Sequence, residues 1–419
     1  MAPAANLINL RVLDQNGQGS DAAVILAIDT AIQLKSQYNI RVINLSLGRP
    51  IYESYHLDPL CQAVEAAWKA GIVVVVAAGN DGRDNSYDEE GYGTITAPGN
   101  DPYVLTVGAM KSEGTPTRSD DLIASYSSKG PTQVDHVVKP DVVAPGNLVV
   151  SLLAANSTLA KQNTGNMVPI AYYQTTPAGP PPGPQAQSGS NVQLSPNYFV
   201  LSGTSMAAPA VSGVVADLLS ADSALTPDQV KGMLMQTAYK NFPGQSTVID
   251  PTTRLSYTDY YDIFTVGAGY VDAAAVMNAL NNPPTGTAIS PTAIYDPTTG
   301  NVTLSFDPSS IWAANTIVPG PVCTPGPTVA PGPVCIPGPP TVANTGVSGV
   351  RSVWGAQAVW GASTVSGTRA VWGVQAVWGA QAVWGASAVL GTRAIWGAQS
   401  VWGASSATSS QAIRITGEK

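Results

Sequence analysis

The run Ser202-Gly203-Thr204-Ser205-Met206-Ala207-Ala208-Pro209 lies between an apolar strand-like stretch, residues 198–201, and an apolar stretch of helical character, residues 210–219. A serine at that junction sits at a helix N-terminus. There the helix dipole and the unpaired backbone N–H groups favour negative charge that develops during a reaction. Its small neighbours let a substrate backbone come close. Taken alone, Thr204 and Ser205 read equally well as ordinary helix caps. Asn80 is a second candidate. It follows Ala77, Ala78 and Gly79 at the end of a β-branched run, residues 72–76. That puts it at the C-terminal end of a strand buried on both faces, where ligands collect on parallel sheets. An Asn-Asp-Gly turn explains the same residues without any chemistry.

The remaining chemical groups are sparse. The chain has two histidines, His56 and His136, which argues against a histidine metal site. Both sit in loop-like surroundings and read as solvated. A serine hydroxyl needs a general base within hydrogen-bond reach, and neither histidine is expected to supply it. Three cysteines cannot build a disulfide framework. Cys61 reads as a small buried hydrophobe on a helix. Cys323 and Cys335 either close a small loop or stay free. The acidic run with Asp81, Asp84, Asp88, Glu89 and Glu90 reads as a solvated loop, with Ca²⁺ as a candidate ligand but no fixed ligand spacing. No other metal or cofactor is expected.

These residues need a scaffold, and residues 1–282 read as one α/β domain. Strands are expected at residues 7–13, 41–47, 72–76 and 103–107, with helices at 20–38 and 57–70 between them. Later helices are expected at residues 204–220, 226–239 and 271–280. Strand and helix alternating at short spacing imply a parallel sheet. A Pro/Gly-rich stretch, residues 175–196, reads as an exposed loop insertion. Residues 283–345 hold one or two short strands (293–295, 301–306) and a semi-rigid Pro/Gly linker.

Residues 346–406 form an array of period six. Glycine recurs without a miss from Gly355 to Gly403, preceded seven times by Trp, and Val or Ile stands before that position every time. A fixed short period favours a repeated β arrangement; a disordered tail is the alternative. The array is a candidate surface- or glycan-binding module, wall-anchoring spacer or self-assembling β-structure, and residues 407–419 are read as a terminal tail. Composition narrows the rest. Apolar residues make up 44% and charged residues 11%, enough apolar content for a core. A net charge of −8 argues against a nucleic-acid surface, which must neutralise phosphates. No run of 18 uncharged apolar residues is present, so no membrane span is expected.

The Gly203–Pro209 motif resembles the nucleophile motif of the subtilisin-like serine proteases. Further segments resemble that family in its order. They are residues 2–14, Asn44-Leu45-Ser46-Leu47-Gly48, Ala77-Ala78-Gly79-Asn80, Ser127-Ser128-Lys129-Gly130-Pro131, residues 139–146 and residues 269–274. The likeness covers residues 1–282. It implies a three-layer, parallel-sheet α/β fold and hydrolysis of peptide bonds in polypeptide substrates through an acyl-enzyme on Ser205. Asn80 and the Ser205 N–H would hold the oxyanion. Ser46, Leu47 and Gly48, facing Ala77, Ala78 and Gly79, would wall the substrate cleft. It also implies export, and Ca²⁺ as an ion the family often binds. The family's Asp strand and His-Gly-Thr-His helix have no match in this chain. The expectation is therefore an N-terminally incomplete domain, inactive or nearly so. Either Met1 is internal to a longer reading frame, or the gene is a remnant. A non-catalytic protein acting through the Trp-Gly array is the alternative.

Overall fold

The computed structural model describes residues 2–85, 90–115, 117–154, 156–173, 193–296, 301–307, 309–311, 322–324, 334–336 and 418. The first half alternates helix and strand. Helices α1 (Asp21–Gln33) and α2 (Lys35–Tyr38) lead to β1 (Val42–Leu45), then α3 (Pro59–Lys69), β2 (Val73–Ala77), β3 (Leu105–Lys111), β4 (Leu122–Ile123) and β5 (Val142–Pro145). β1, β2, β3 and β5 are parallel in that order across the sheet, and β4 runs antiparallel to β3. Every residue of β2 is buried. That requires cover on both faces: α3, packed with α1, supplies one layer, and a long helix over residues 204–221 supplies the other by crossing β1, β2, β3 and β5.

The second half adds smaller pieces. β6 (Val149–Leu152), α4 (Thr158–Gln162), β7 (Met167–Pro169) and β8 (Leu194–Leu201) make an antiparallel three-stranded sheet in the order β6-β8-β7. β8 feeds α5 (Thr204–Ala221), followed by α6 (Pro227–Thr237), the hairpin β9 (Gln245–Ile249) and β10 (Ser256–Tyr260), and α7 (Ala273–Asn278). α5 is the one helix among the described residues long and apolar enough to cross a bilayer; here its apolar residues face the sheet.

The body continues past residue 282. A hairpin of β11 (Thr292–Asp296) and β12 (Asn301–Ser305) sets Ala293 and Val302 against Tyr92, Val138, Ile263 and Phe264. Further on, β13 (Val322–Thr324) pairs with β14 (Val334–Ile336) in a register that puts Cys323 opposite Cys335. Most of the 175–196 insertion and the whole 346–406 array lie outside the described residues.

One expected strand is absent. Residues 7–13 form no ladder, and Leu7 is 93% exposed. An extended apolar run becomes a strand only when a neighbour supplies hydrogen-bond partners. Among the described residues none runs beside it, although Val12 and Leu13 pack on the core. The only strand β1 pairs with, among the described residues, is β2.

Candidate active site

The turn into α5 is built on glycine. Gly203 caps the helix at φ +143°, a conformation that L side chains rarely adopt. Ser205 is then the second helical residue. The first-turn N–H groups of a helix have no partner within it. The Thr204 N–H is taken by Asn80 Oδ1 at 2.8 Å, and the Met206 N–H closes on Gly203 O at 2.9 Å. The described hydrogen bonds leave the Ser205 N–H uncommitted.

Pro209 shapes the same turn from four residues further on. It has no N–H, so the Ser205 carbonyl loses its normal i+4 donor. Ser46 Oγ donates to that carbonyl instead, at 2.8 Å, and itself accepts from Asn44 Nδ2 at 2.9 Å. In return, Ser205 Oγ donates to the Ser46 carbonyl at 3.3 Å. The end of β1 and the start of α5 are therefore latched through two serines.

Asn80 is held by the same turn. Its Oδ1 accepts from the Thr204 N–H, a group that can only donate, so the amide orientation is fixed and Nδ2 is the end left to donate. Thr204 Oγ1 accepts from the Gly79 N–H at 3.2 Å and lies 3.1 Å from both Gly79 O and Asn80 Oδ1; its single hydrogen goes to one of them. Gly79 turns the chain at φ +112°, where a Cβ would come within 2.7 Å of Ser128 Oγ. Ser128 Oγ also accepts from the Asp81 N–H at 3.1 Å.

The two expected walls leave the same end of the sheet, since Leu45 and Val76 are register partners. They are joined by the segment around Thr96. The Arg49 N–H donates to Ala97 O, and the Thr96 N–H donates to Ala78 O. A Cβ on Gly48 would fall 2.4 Å from Thr96 Oγ1. Leu47, Ala77 and Ala78 are buried, so what these positions offer a ligand is backbone.

No hydrogen bond joins either imidazole to Ser205 among the described residues. His56 is exposed and stacks on Tyr55, with ring centroids 4.0 Å apart. His136 departs from the expected solvated state. It sits at φ +55° under the β11 hairpin, its carbonyl accepting from the Ala293 N–H, and burial pulls its pKa down to about 3. Cys61 is fully buried, its Sγ 3.3 Å from Asn100 Oδ1, and burial pushes its thiol pKa well up. No group of three His, Cys, Asp or Glu able to hold a metal occurs among the described residues; Asp88 and Glu89 of the acidic run lie outside them.

The sequence left Thr96 unmarked, and it named Ser46, Thr204 and Ser128 without the hydrogen bonds they make here. Of those bonds, only Pro209 left a readable trace, as a proline four residues into an apolar helix.

The profile of the Peptidase S8, subtilase family matches residues 1–260. The serine protease AprX of Bacillus subtilis is 39% identical over 238 residues, covering 56% of this chain and 46% of that protein. Subtilisin DY of Bacillus licheniformis is 31% identical over 238 residues, covering 57% and 62%. Subtilisin E of Bacillus subtilis is also 31% identical, covering 57% and 45%. This chain thus spans about half the length of the relatives it matches. Among solved structures, sphericase aligns at a TM-score of 0.40 with 26% identity over 58% of this chain and 64% of that one, too loosely to bear on the site. The family profile spans more than half of the chain, and the chain belongs to the subtilase family.

Proposed function

We propose that residues 1–282 carry the nucleophile of a serine endopeptidase domain and that this chain alone hydrolyses peptide bonds slowly or not at all. Ser205 Oγ attacks the scissile carbonyl and forms an acyl-enzyme. Asn80 Nδ2 and the Ser205 N–H hold the oxyanion. The backbone of Ser46, Leu47 and Gly48 on one side, and of Ala77, Ala78 and Gly79 on the other, binds a polypeptide in extended form. One observation carries this reading. Thr204 commits Asn80 Oδ1 through a donor that cannot be reversed, so Nδ2 and the Ser205 N–H are the donors left at one turn. The low rate follows from proton transfer. Ser205 Oγ rests on a carbonyl, which can accept its hydrogen bond but cannot take its proton at neutral pH. Export belongs to the same proposal.

The test is peptide hydrolysis by the purified 419-residue chain beside its Ser205→Ala variant. The two should be indistinguishable. Robust cleavage that vanishes in the variant would show that a base is present after all and overturn the proposed inactivity.

A second reading places the function in the period-six array, whose seven Trp residues are spaced for a binding or assembling surface. Glycan binding that survives in the Ser205→Ala chain would favour it.

A further inference from the structure

The far end of the chain is anchored. Glu418 lies 293 residues beyond Ser125 and 271 beyond Asn147, yet it is buried against both. Its carboxylate receives three donors: Arg83 Nη2 at 2.9 Å, the Ser125 N–H at 2.9 Å and Ser125 Oγ at 2.6 Å. Its backbone is read as well. Asn147 Oδ1 accepts from the Glu418 N–H, and Asn147 Nδ2 donates to the Glu418 carbonyl, each at 2.8 Å.

The receiving groups are held in place by bonds of their own. Arg83 pairs with Asp250 at 2.8 Å and stacks its guanidinium 4.6 Å from the centre of the Tyr257 ring. The Ser125 side chain is fully buried, and the Arg83 side chain is 10% exposed. The cradle also adjoins the nucleophile turn. The Gly146 carbonyl, next to Asn147, accepts from the Gly203 N–H at 2.8 Å and from Tyr126 Oη at 3.1 Å.

We propose that Arg83, Ser125 and Asn147 form a binding site for a glutamate, and that its occupant is Glu418 of the same chain. The donor set explains the choice of residue. Three donors converge on one side chain, so a carboxylate satisfies them and a carboxamide, with one oxygen, does not. The two Asn147 bonds fix the Glu418 backbone, so an aspartate, shorter by one methylene, stops short of Arg83. The site makes residue 418 a clasp on the subtilase body, bonded to it as residue 311 is bonded through Thr287. This holds whether or not the chain cleaves peptides.

Carboxypeptidase digestion of the full chain, followed by mass spectrometry, tests it. Lys419 should be released freely and digestion should then stall at Glu418. In Glu418→Gln it should run on into residues 413–417, with release of residue 418 faster by about tenfold or more, because trimming tracks the population of the undocked end. Urea unfolding of both chains beside the digestion tells an undocked residue 418 from a destabilised body. Ser125→Ala, which removes one carboxylate donor, should lie between the two. Equal rates through residue 418 in native and Glu418→Gln chains would overturn the proposal. So would a stall at the same point in both.

Discussion

Ser205 and Ser46 show how a single proline can organise a site. Removing the N–H at position 209 strands the Ser205 carbonyl, and Ser46 Oγ–H meets it at 2.8 Å. The prediction at this scale is a double-mutant cycle. Ser46→Ala should cost about 1 kcal/mol in the native background, since a half-buried carbonyl is left without its donor. In a Pro209→Ala background residue 209 has an N–H again, the helix closes on Ser205, and the same substitution should cost close to nothing. Urea unfolding measures both. Equal costs in the two backgrounds would show that Pro209 and Ser46 do not act on one carbonyl. Leu47, an apolar residue in a proposed substrate wall, turns its side chain into the core and leaves only its backbone to a ligand.

Among helices, the N-caps of α3 and α6 follow one rule with different stakes. Thr226 closes a capping box with Gln229 at the surface of α6. Asp58 caps α3 by accepting from the Leu60 N–H at 2.9 Å, but it is fully buried and both its oxygens lie 2.7 Å from Arg49 Nη2. Thr226→Ala should therefore cost about 1 kcal/mol, the worth of an exposed cap. Asp58→Ala should cost about 3–5 kcal/mol, because it also strips a buried guanidinium of its main counter-charge. Thermal or urea unfolding of both variants decides; comparable losses would mean that Asp21, 2.9 Å from Arg49 Nε, carries the arginine alone. Asp58, expected at the start of a helix over residues 57–70, is also a buried joint between α1, α3 and the proposed substrate wall.

At the scale of the whole molecule, a buried charge triad ties the layers together. Asp141 lies 2.7 Å from Lys139 Nζ and 3.1 Å from Lys231 Nζ, and all three side chains are fully buried. Lys231 comes from α6 and also reaches the Pro102 carbonyl and Ser290, so sheet, helix and the region beyond residue 282 meet here. Burial pushes the Asp141 carboxyl up, but Lys139 and Lys231 together outweigh it and hold it below the usual carboxylate range. A depressed native pKa contributes stability above the unfolded value of about 4, and that stability is lost as pH falls through the native value. Asp141→Asn should therefore cost about 3–5 kcal/mol at pH 7 by removing the carboxylate that faces two buried lysines, of which burial already pulls Lys139 down to about 7. The gap to the native chain should narrow as pH drops below about 4. A gap independent of pH would mean that the loss comes from hydrogen bonding or packing and not from charge.

Much of this was legible in the sequence because it rests on local rules. The all-buried β2 follows from an unbroken β-branched run. The starts of α1 and α6 follow from Ser20 and Thr226, whose side chains cap them. The junction at Ser205 follows from a glycine between an apolar strand and an apolar helix. Residues 7–13 mark the limit: they have the composition of a strand, but a strand is a property of two chain segments, and the described chain supplies no second one beside them. The Ser46–Ser205 latch, the commitment of Asn80 to Thr204, the Lys–Asp–Lys triad and the return of Glu418 to Arg83 and Ser125 each join residues remote in the sequence, except for Lys139 with Asp141. Types and spacing determined which local structures form and which residues are candidates for chemistry. Which polar groups are buried together, and so must satisfy one another, was decided only when the layers closed.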